Sequence, residues 1–200
     1  RDGLYELNGM KQTRIELGSP ALPLPIYSIF EHENGSWYLG TDNHILICKE
    51  KRLVEKINLK LSGENRVRHI ITDQQGIVWF NPWGSNEVYQ LLKNRVNPIH
   101  DQVSGLHSNI SALHNYNGDI WLGLLGNGIL QFSNQHIQNF GFSRGLKNLN
   151  VRKLLSTSTG ILMGTADGLA FYNFVSKQIS FIKHLPEMSQ YVRDICALND

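Results

Sequence analysis

Two cysteines, six prolines and no apolar stretch long enough to cross a bilayer as a helix are what this 200-residue chain has little of, and each scarcity narrows its reading. A spanning helix needs about 20 consecutive apolar residues. The start, Arg1-Asp2-Gly3-Leu4, lacks the basic end, apolar stretch and small-residue cleavage site of a signal peptide, so any such segment is expected outside these residues. Cys48 and Cys196 form no CxxC pair, which argues against a zinc site and leaves both expected as small buried hydrophobes. Charge of one sign is also missing: 19 Lys and Arg face 17 Asp and Glu, too even a balance to draw a nucleic acid or a membrane surface over distance. Neither nucleic acid nor direct membrane insertion is expected. No GxSxG elbow, HExxH, P-loop or calcium-loop pattern occurs, and the eight histidines have no ligand spacing. The expectation is no catalytic residue, no metal site and no cofactor. His100-Asp101, and Asp194 beside Arg193, are adequately read as solvated loop charges.

What is present is a repeat. The segments Asn34-Gly35-Ser36-Trp37-Tyr38-Leu39-Gly40-Thr41, Gly76-Ile77-Val78-Trp79-Phe80-Asn81, Gly118-Asp119-Ile120-Trp121-Leu122-Gly123 and Gly160-Ile161-Leu162-Met163-Gly164-Thr165 stack on one another. Their large apolar position falls at 38, 79, 121 and 162, in steps of 41, 42 and 41. A second register agrees: Ile26, Val67, Ile110, Val151 and Val192 each open an apolar segment ahead of the glycine turn. Asp2-Gly3-Leu4, Asn127-Gly128-Ile129 and Asp167-Gly168-Leu169 form a third.

Each period reads as four short strands. From Ile110 the apolar runs cover 110–114, 120–123, 129–132 and 136–140, with Asn117-Gly118 as a hairpin signal. Runs such as Val78-Trp79-Phe80 and Ile45-Leu46-Ile47-Cys48 are apolar without alternation, as expected of strands buried on both faces. The expected fold class is all-β, a β-propeller of four-stranded antiparallel blades. Over 1–200 the alignment gives a part-blade 1–25, blades from 26, 67, 110 and 151, and a part-blade 192–200, an incomplete arc of about five blades from a larger ring. Tyr38, Trp79, Trp121 and Leu162 are expected at equivalent buried places on the second strands.

The repeat, an opening Val-x-x-Leu, a turn with Asp and Gly, apolar-Trp-apolar-Gly-Thr and Asp-Gly-Leu, resembles the two-component regulator propeller repeat. Ile110 to Phe132 and Val151 to Tyr172 match it best; the Trp79 repeat departs, with Asn81-Pro82 for Gly-Thr. The resemblance implies the extracytoplasmic, periplasmic sensor part of a hybrid two-component histidine kinase of Bacteroidetes. Such a part is anchored in the inner membrane, adjoins an immunoglobulin-like module, and in many cases answers to glycan breakdown products. The function so implied is a non-catalytic sensor for a saccharide. A structural or protein-interaction propeller without a small ligand is the alternative, and a propeller enzyme such as a polysaccharide lyase is a third reading.

One recurrence bears on a ligand. Arg68, Arg152 and Arg193 each follow the opening aliphatic, with Ser28 or Ser111 nearby in the other repeats. In a propeller this position lies near the channel mouth, beside the loops Asp42-Asn43-His44, Pro82-Trp83-Gly84 and Leu124-Leu125-Gly126-Asn127. Guanidinium suits planar, bidentate recognition of carboxylate or sulfate. Arg68, Arg152, Arg193, Trp83, His44 and Asn127 are therefore the candidate ligand-binding residues, for an acidic oligosaccharide. Struts between blades are the alternative role for the arginines. A neighbouring propeller or immunoglobulin-like module of the same protein, and a homodimer, complete the expected partners.

Overall fold

Turn residues cut the chain into strands of three to seven residues, and within each sheet a strand pairs with the next one in sequence. The structure, a computed structural model, describes residues 3–17, 25–61, 63–99, 107–133, 136–182 and 191–197. His100-Asp101 lies outside the described residues. The chain divides into two units: Arg1–Thr72 with Gly76–Ile99, and Asp73–Gln75 with His100–Asp200.

Unit 1 holds a hairpin and two sheets. The hairpin is β1 (Leu4–Asn8) and β2 (Lys11–Ile15). The first sheet runs β3 (Ser28–Glu31), β4 (Ser36–Gly40), β5 (His44–Lys49) and β6 (Arg52–Asn58), antiparallel throughout and in sequence order. The second runs β7 (Val67–Thr72), β8 (Val78–Pro82), β9 (Tyr89–Leu92) and β10 (Arg95–Pro98) in the same manner. Unit 2 repeats the plan with β11 (Ile110–Tyr116), β12 (Asp119–Leu124), β13 (Ile129–Ser133) and β14 (His136–Phe140). Its second sheet is β15 (Val151–Ser156), β16 (Gly160–Thr165), β17 (Gly168–Asn173) and β18 (Ile179–Phe181). A 3-10 turn, Phe142–Arg144, joins the two.

Left-handed turn pairs close three of these hairpins: Glu50 and Lys51 at φ 51° and 60°, Lys93 and Asn94 at 47° and 63°, Asn117 and Gly118 at 51° and 86°. Positive φ at both central positions matches the twist of the flanking strands. Only Asn117-Gly118 signals such a turn by its residue types.

Sheets within a unit pack face on face, and β5 shows why its sequence does not alternate. Ile45 joins the buried layer between the first two sheets, with Val67, Ile70, Phe80 and Tyr89. Leu46 and Cys48 turn the other way, into a second layer with Leu39, Trp37 and, from the hairpin side, Leu4 and Leu17. Burial pushes the Cys48 thiol up to about 11. The expectation of a buried thiol fails at Cys196, which is exposed in the strand-free segment 191–197.

The repeated glycine on the second strand has a steric cause. A Cβ at Gly123 would lie 3.2 Å from Val151 Cγ1, the aliphatic that opens the next sheet, and one at Gly164 would lie 2.9 Å from Val192 Cγ1. At Gly40 it would overlap Ser28 Oγ and come within 2.7 Å of Val67 Cγ1. The next sheet's opening aliphatic thus seats on bare backbone. Two residues earlier, Tyr38, Trp79, Trp121 and Leu162 share one register, opposite Phe30, Ile71, His114 and Leu155. Both tryptophans are buried, whereas Tyr38 and Leu162 are half-buried, which corrects the expectation of four equally buried places. Trp121 is enclosed by Phe140, Tyr172 and Phe174; the smaller Tyr38 meets Phe30 and His32.

Candidate functional site

The first strand of three sheets carries an extra residue. Register shifts lie between Val67 and His69, Ile110 and Ala112, and Val151 and Lys153, so Arg68, Ser111 and Arg152 are bulge residues. A bulge leaves its extra residue out of the ladder and re-aims the side chain. In β11 the bulge is structural: the buried Ser111 hydroxyl donates to Gly123 O and to Val151 O of the next sheet. Arginine in the same place reaches elsewhere.

In unit 1 the Arg68 guanidinium lies 4.6 Å from the centre of the Trp83 ring. Trp83 follows the last residue of β8 and is 49% exposed. Its backbone N–H donates to Arg66 O at 2.8 Å, while Arg66 bridges Asp42 on its other side. Three short segments, at Asp42, Arg66 and Trp83, therefore run side by side next to the strand openings. Arg66 clamps Glu64 through two bonds of 2.9 and 2.7 Å, which holds the Glu64 carboxyl down at about 2. Tyr27 OH donates to Asp42 Oδ2 at 3.3 Å. His44 is committed to its own turn: Nδ1 donates to Asp42 O at 2.6 Å, across Asn43 in the left-handed region.

Unit 2 brings two of the three candidate arginines to one ring. Arg152 Cζ is 4.6 Å and Arg193 Cζ 5.3 Å from the centre of Tyr191, a cation–π arrangement at both. Arg152 Nε is buried and has no hydrogen-bond partner. The nearby carboxylate of Asp194 accepts from Lys153 at 2.8 Å and from the Ile195 N–H at 2.9 Å. The Lys153 contact is the main reason the Asp194 carboxyl lies below its ordinary range. Asn127 sits on the β12–β13 turn, where Gly128 must be glycine because a Cβ would collide with Phe140 O at φ +75°. Tyr191 was not singled out by sequence reasoning. Its one signal is position: it stands directly before an opening aliphatic, as Arg66 and Asn150 do.

Sheets of four strands in sequence order, seated on one another through a bare glycine, are the blades of a β-propeller. Solved structures agree. The chain is similar to the extracellular domain described for the hybrid two component system BT3049 of B. thetaiotaomicron, with a TM-score of 0.72 and 21% identity over 94% of this chain and 27% of that one. It thus spans about a quarter of that domain's length. It is also similar to virginiamycin B lyase from Staphylococcus aureus, with a TM-score of 0.66 and 16% identity over 83% of this chain and 57% of the lyase. The WD40 β-propeller domain of Doa1 follows, with a TM-score of 0.56 and 12% identity over 76% of this chain and 52% of that one. No family model matches the chain, and no curated protein matches it. At these identities the likeness defines the fold, an all-β propeller.

Proposed function

We propose that this chain is part of a non-catalytic, extracytoplasmic sensor propeller of a two-component signalling protein, in the periplasm, and that it binds an acidic saccharide. The observation that carries the ligand class is the pair Arg152 and Arg193 over Tyr191, with the neighbouring acid, Asp194, held by Lys153. Two guanidiniums without a carboxylate between them suit a uronate or a sulfate, which a planar fork binds through parallel hydrogen bonds. The likeness to an extracellular domain described for a hybrid two component system supports the setting. A stiff ring signals through its interfaces, so occupancy is transmitted as a rigid-body change against a neighbouring module or a second copy.

Stacking of both arginines on Tyr191 also favours a second reading, struts in an interaction propeller. Calorimetric titration of the full-length protein and its Arg152→Ala variant with matched uronate-bearing and neutral oligosaccharides separates the two. A lost charge-assisted contact is worth about 1.5–3 kcal/mol, so the acidic ligand should weaken about tenfold to a hundredfold and the neutral one stay nearly unchanged. Equal affinities in wild type and variant return these arginines to struts.

A further inference from the structure

The same backbone frame occurs twice, with different side chains. In unit 2 Leu125 bridges Asn150, whose carbonyl accepts from Ala166 N–H at 3.2 Å. In unit 1 the equivalent places hold Asp42, Arg66 and Trp83, with the Trp83 N–H on Arg66 O at 2.8 Å. Leucine, asparagine and alanine suffice to build this frame, so the fold does not require a carboxylate, a guanidinium and an indole there. The next residue points the same way. Leu149 packs on the unit 2 core, while its counterpart Asn65 has a buried Oδ1 without a hydrogen-bond partner. An unsatisfied buried acceptor costs about 1–3 kcal/mol, a composition not chosen for stability.

We infer that this face of unit 1 is a separate subsite for a neutral pyranose, with Trp83 as the stacking platform and Asp42 and the Glu64–Arg66 pair as hydroxyl partners. Arg68 covers one face of the Trp83 ring, yet the residue is half exposed and a Cβ at the adjoining Gly84 would meet nothing within 4 Å, so the other face is the one a sugar would approach. Segments paired side by side lie about 4.8 Å apart, so Asp42 and Trp83 stand about 10 Å from each other, the span of one to two sugar rings. The charges decide the ligand class. Asp42 and Glu64 balance Arg66 and Arg68, and Glu64 already fills the Arg66 fork, so an anion gains little here. A neutral ring offers C–H faces to the indole and hydroxyl donors to Asp42.

This subsite rests on the saccharide reading but not on the Tyr191 site. Saturation-transfer NMR on the full-length protein with maltose, cellobiose and lactose tests it, using Trp83→Ala and Arg152→Ala beside wild type. The expected result is transfer to at least one disaccharide, weakened about tenfold or more in Trp83→Ala and unchanged in Arg152→Ala. Asp42→Asn, which keeps the indole, should weaken the same sugar. If none of the three shows transfer, or if Trp83→Ala binds as wild type does, the subsite is overturned. Loss of uronate binding in Arg152→Ala would meanwhile leave the Tyr191 site standing. If uronates also fail to bind wild type, both readings fall together.

Discussion

The two units run one backbone programme with different fillings. Unit 2 gathers the interior of its blade pair into one aromatic layer, in which Trp121 and Tyr172 touch each other and both Phe140 and Phe174. Unit 1 divides its interior into two layers on either side of β5, richer in aliphatic side chains, with Phe80 and Tyr89 stacked at 5.3 Å in one of them. At the strand openings the contrast reverses. Unit 1 sets Asp42, Arg66 and Trp83 on the frame where unit 2 sets Leu125, Asn150 and Ala166. Identical frames show which residues the fold needs: the seam glycine and the opening aliphatic recur, whereas the side chains on the paired segments change freely.

The largest expected effect tests the interiors. Trp121 is 1% exposed and enclosed by three aromatic rings, so Trp121→Ala should destabilise by about 3–5 kcal/mol. Tyr38 holds the same register place in unit 1 but is half-buried, so Tyr38→Ala should cost distinctly less. Denaturant unfolding of both variants in the full-length protein measures the pair. Equal losses would mean that the aromatic layer adds nothing beyond the shared register.

A smaller effect reads the seams. Alanine at Gly40 would force aside Ser28 Oγ and Val67 Cγ1 together, and with them the bond from Ser28 to Val67 O. Alanine at Gly123 meets Ala112 Cβ at 3.0 Å and Val151 Cγ1 and O at 3.2 Å, contacts that ask these neighbours to give by only a few tenths of an ångström. Overpacking typically costs about 1–3 kcal/mol, so Gly40→Ala should fall at the upper end and Gly123→Ala at the lower. The reverse order in unfolding midpoints would place the tighter seam in unit 2.

Much of this was legible because a period near 41 residues fixes four strands per repeat, and glycine after the aromatic marks the seam. The loops carrying Trp83 and Asn127 could be placed from that register alone. What was hidden follows from physics that strings of residue types do not encode. Bulges at Arg68, Ser111 and Arg152 leave no mark in composition, so the arginine positions looked alike although Ser111 ties a seam and Arg152 meets a ring. Tyr191 reaches two guanidiniums through tertiary placement. His44 was a candidate by its loop position; the hydrogen bond that its Nδ1 makes to Asp42 O depends on the turn and could not be read there. Cys196 was misread because its segment forms no strand in the described residues.

The smallest effect is a pH dependence confined to unit 2. His114 pairs opposite Trp121 as Phe30 pairs opposite Tyr38, so the same place is titratable in one unit and not in the other. The Ser156 N–H, on the last residue of β15, donates to His114 Nε2 at 3.2 Å, a bond that requires the neutral imidazole. Burial first, and the Lys153 ammonium second, hold the ring below its ordinary histidine range. A histidine with a depressed folded pKa stabilises the fold fully above the unfolded value of about 6.5 and loses that contribution as pH falls toward the folded value. Wild type should therefore lose stability between pH 7.5 and 5 relative to His114→Phe, which copies Phe30 of unit 1. The variant should be the less stable at pH 7.5, where Ser156 N–H has lost its acceptor. Unfolding midpoints at the two pH values, compared as a difference between the proteins, cancel every other titrating group. Parallel losses in both would show that His114 titrates alike in the folded and unfolded chain and that the seam between these blades carries no pH dependence.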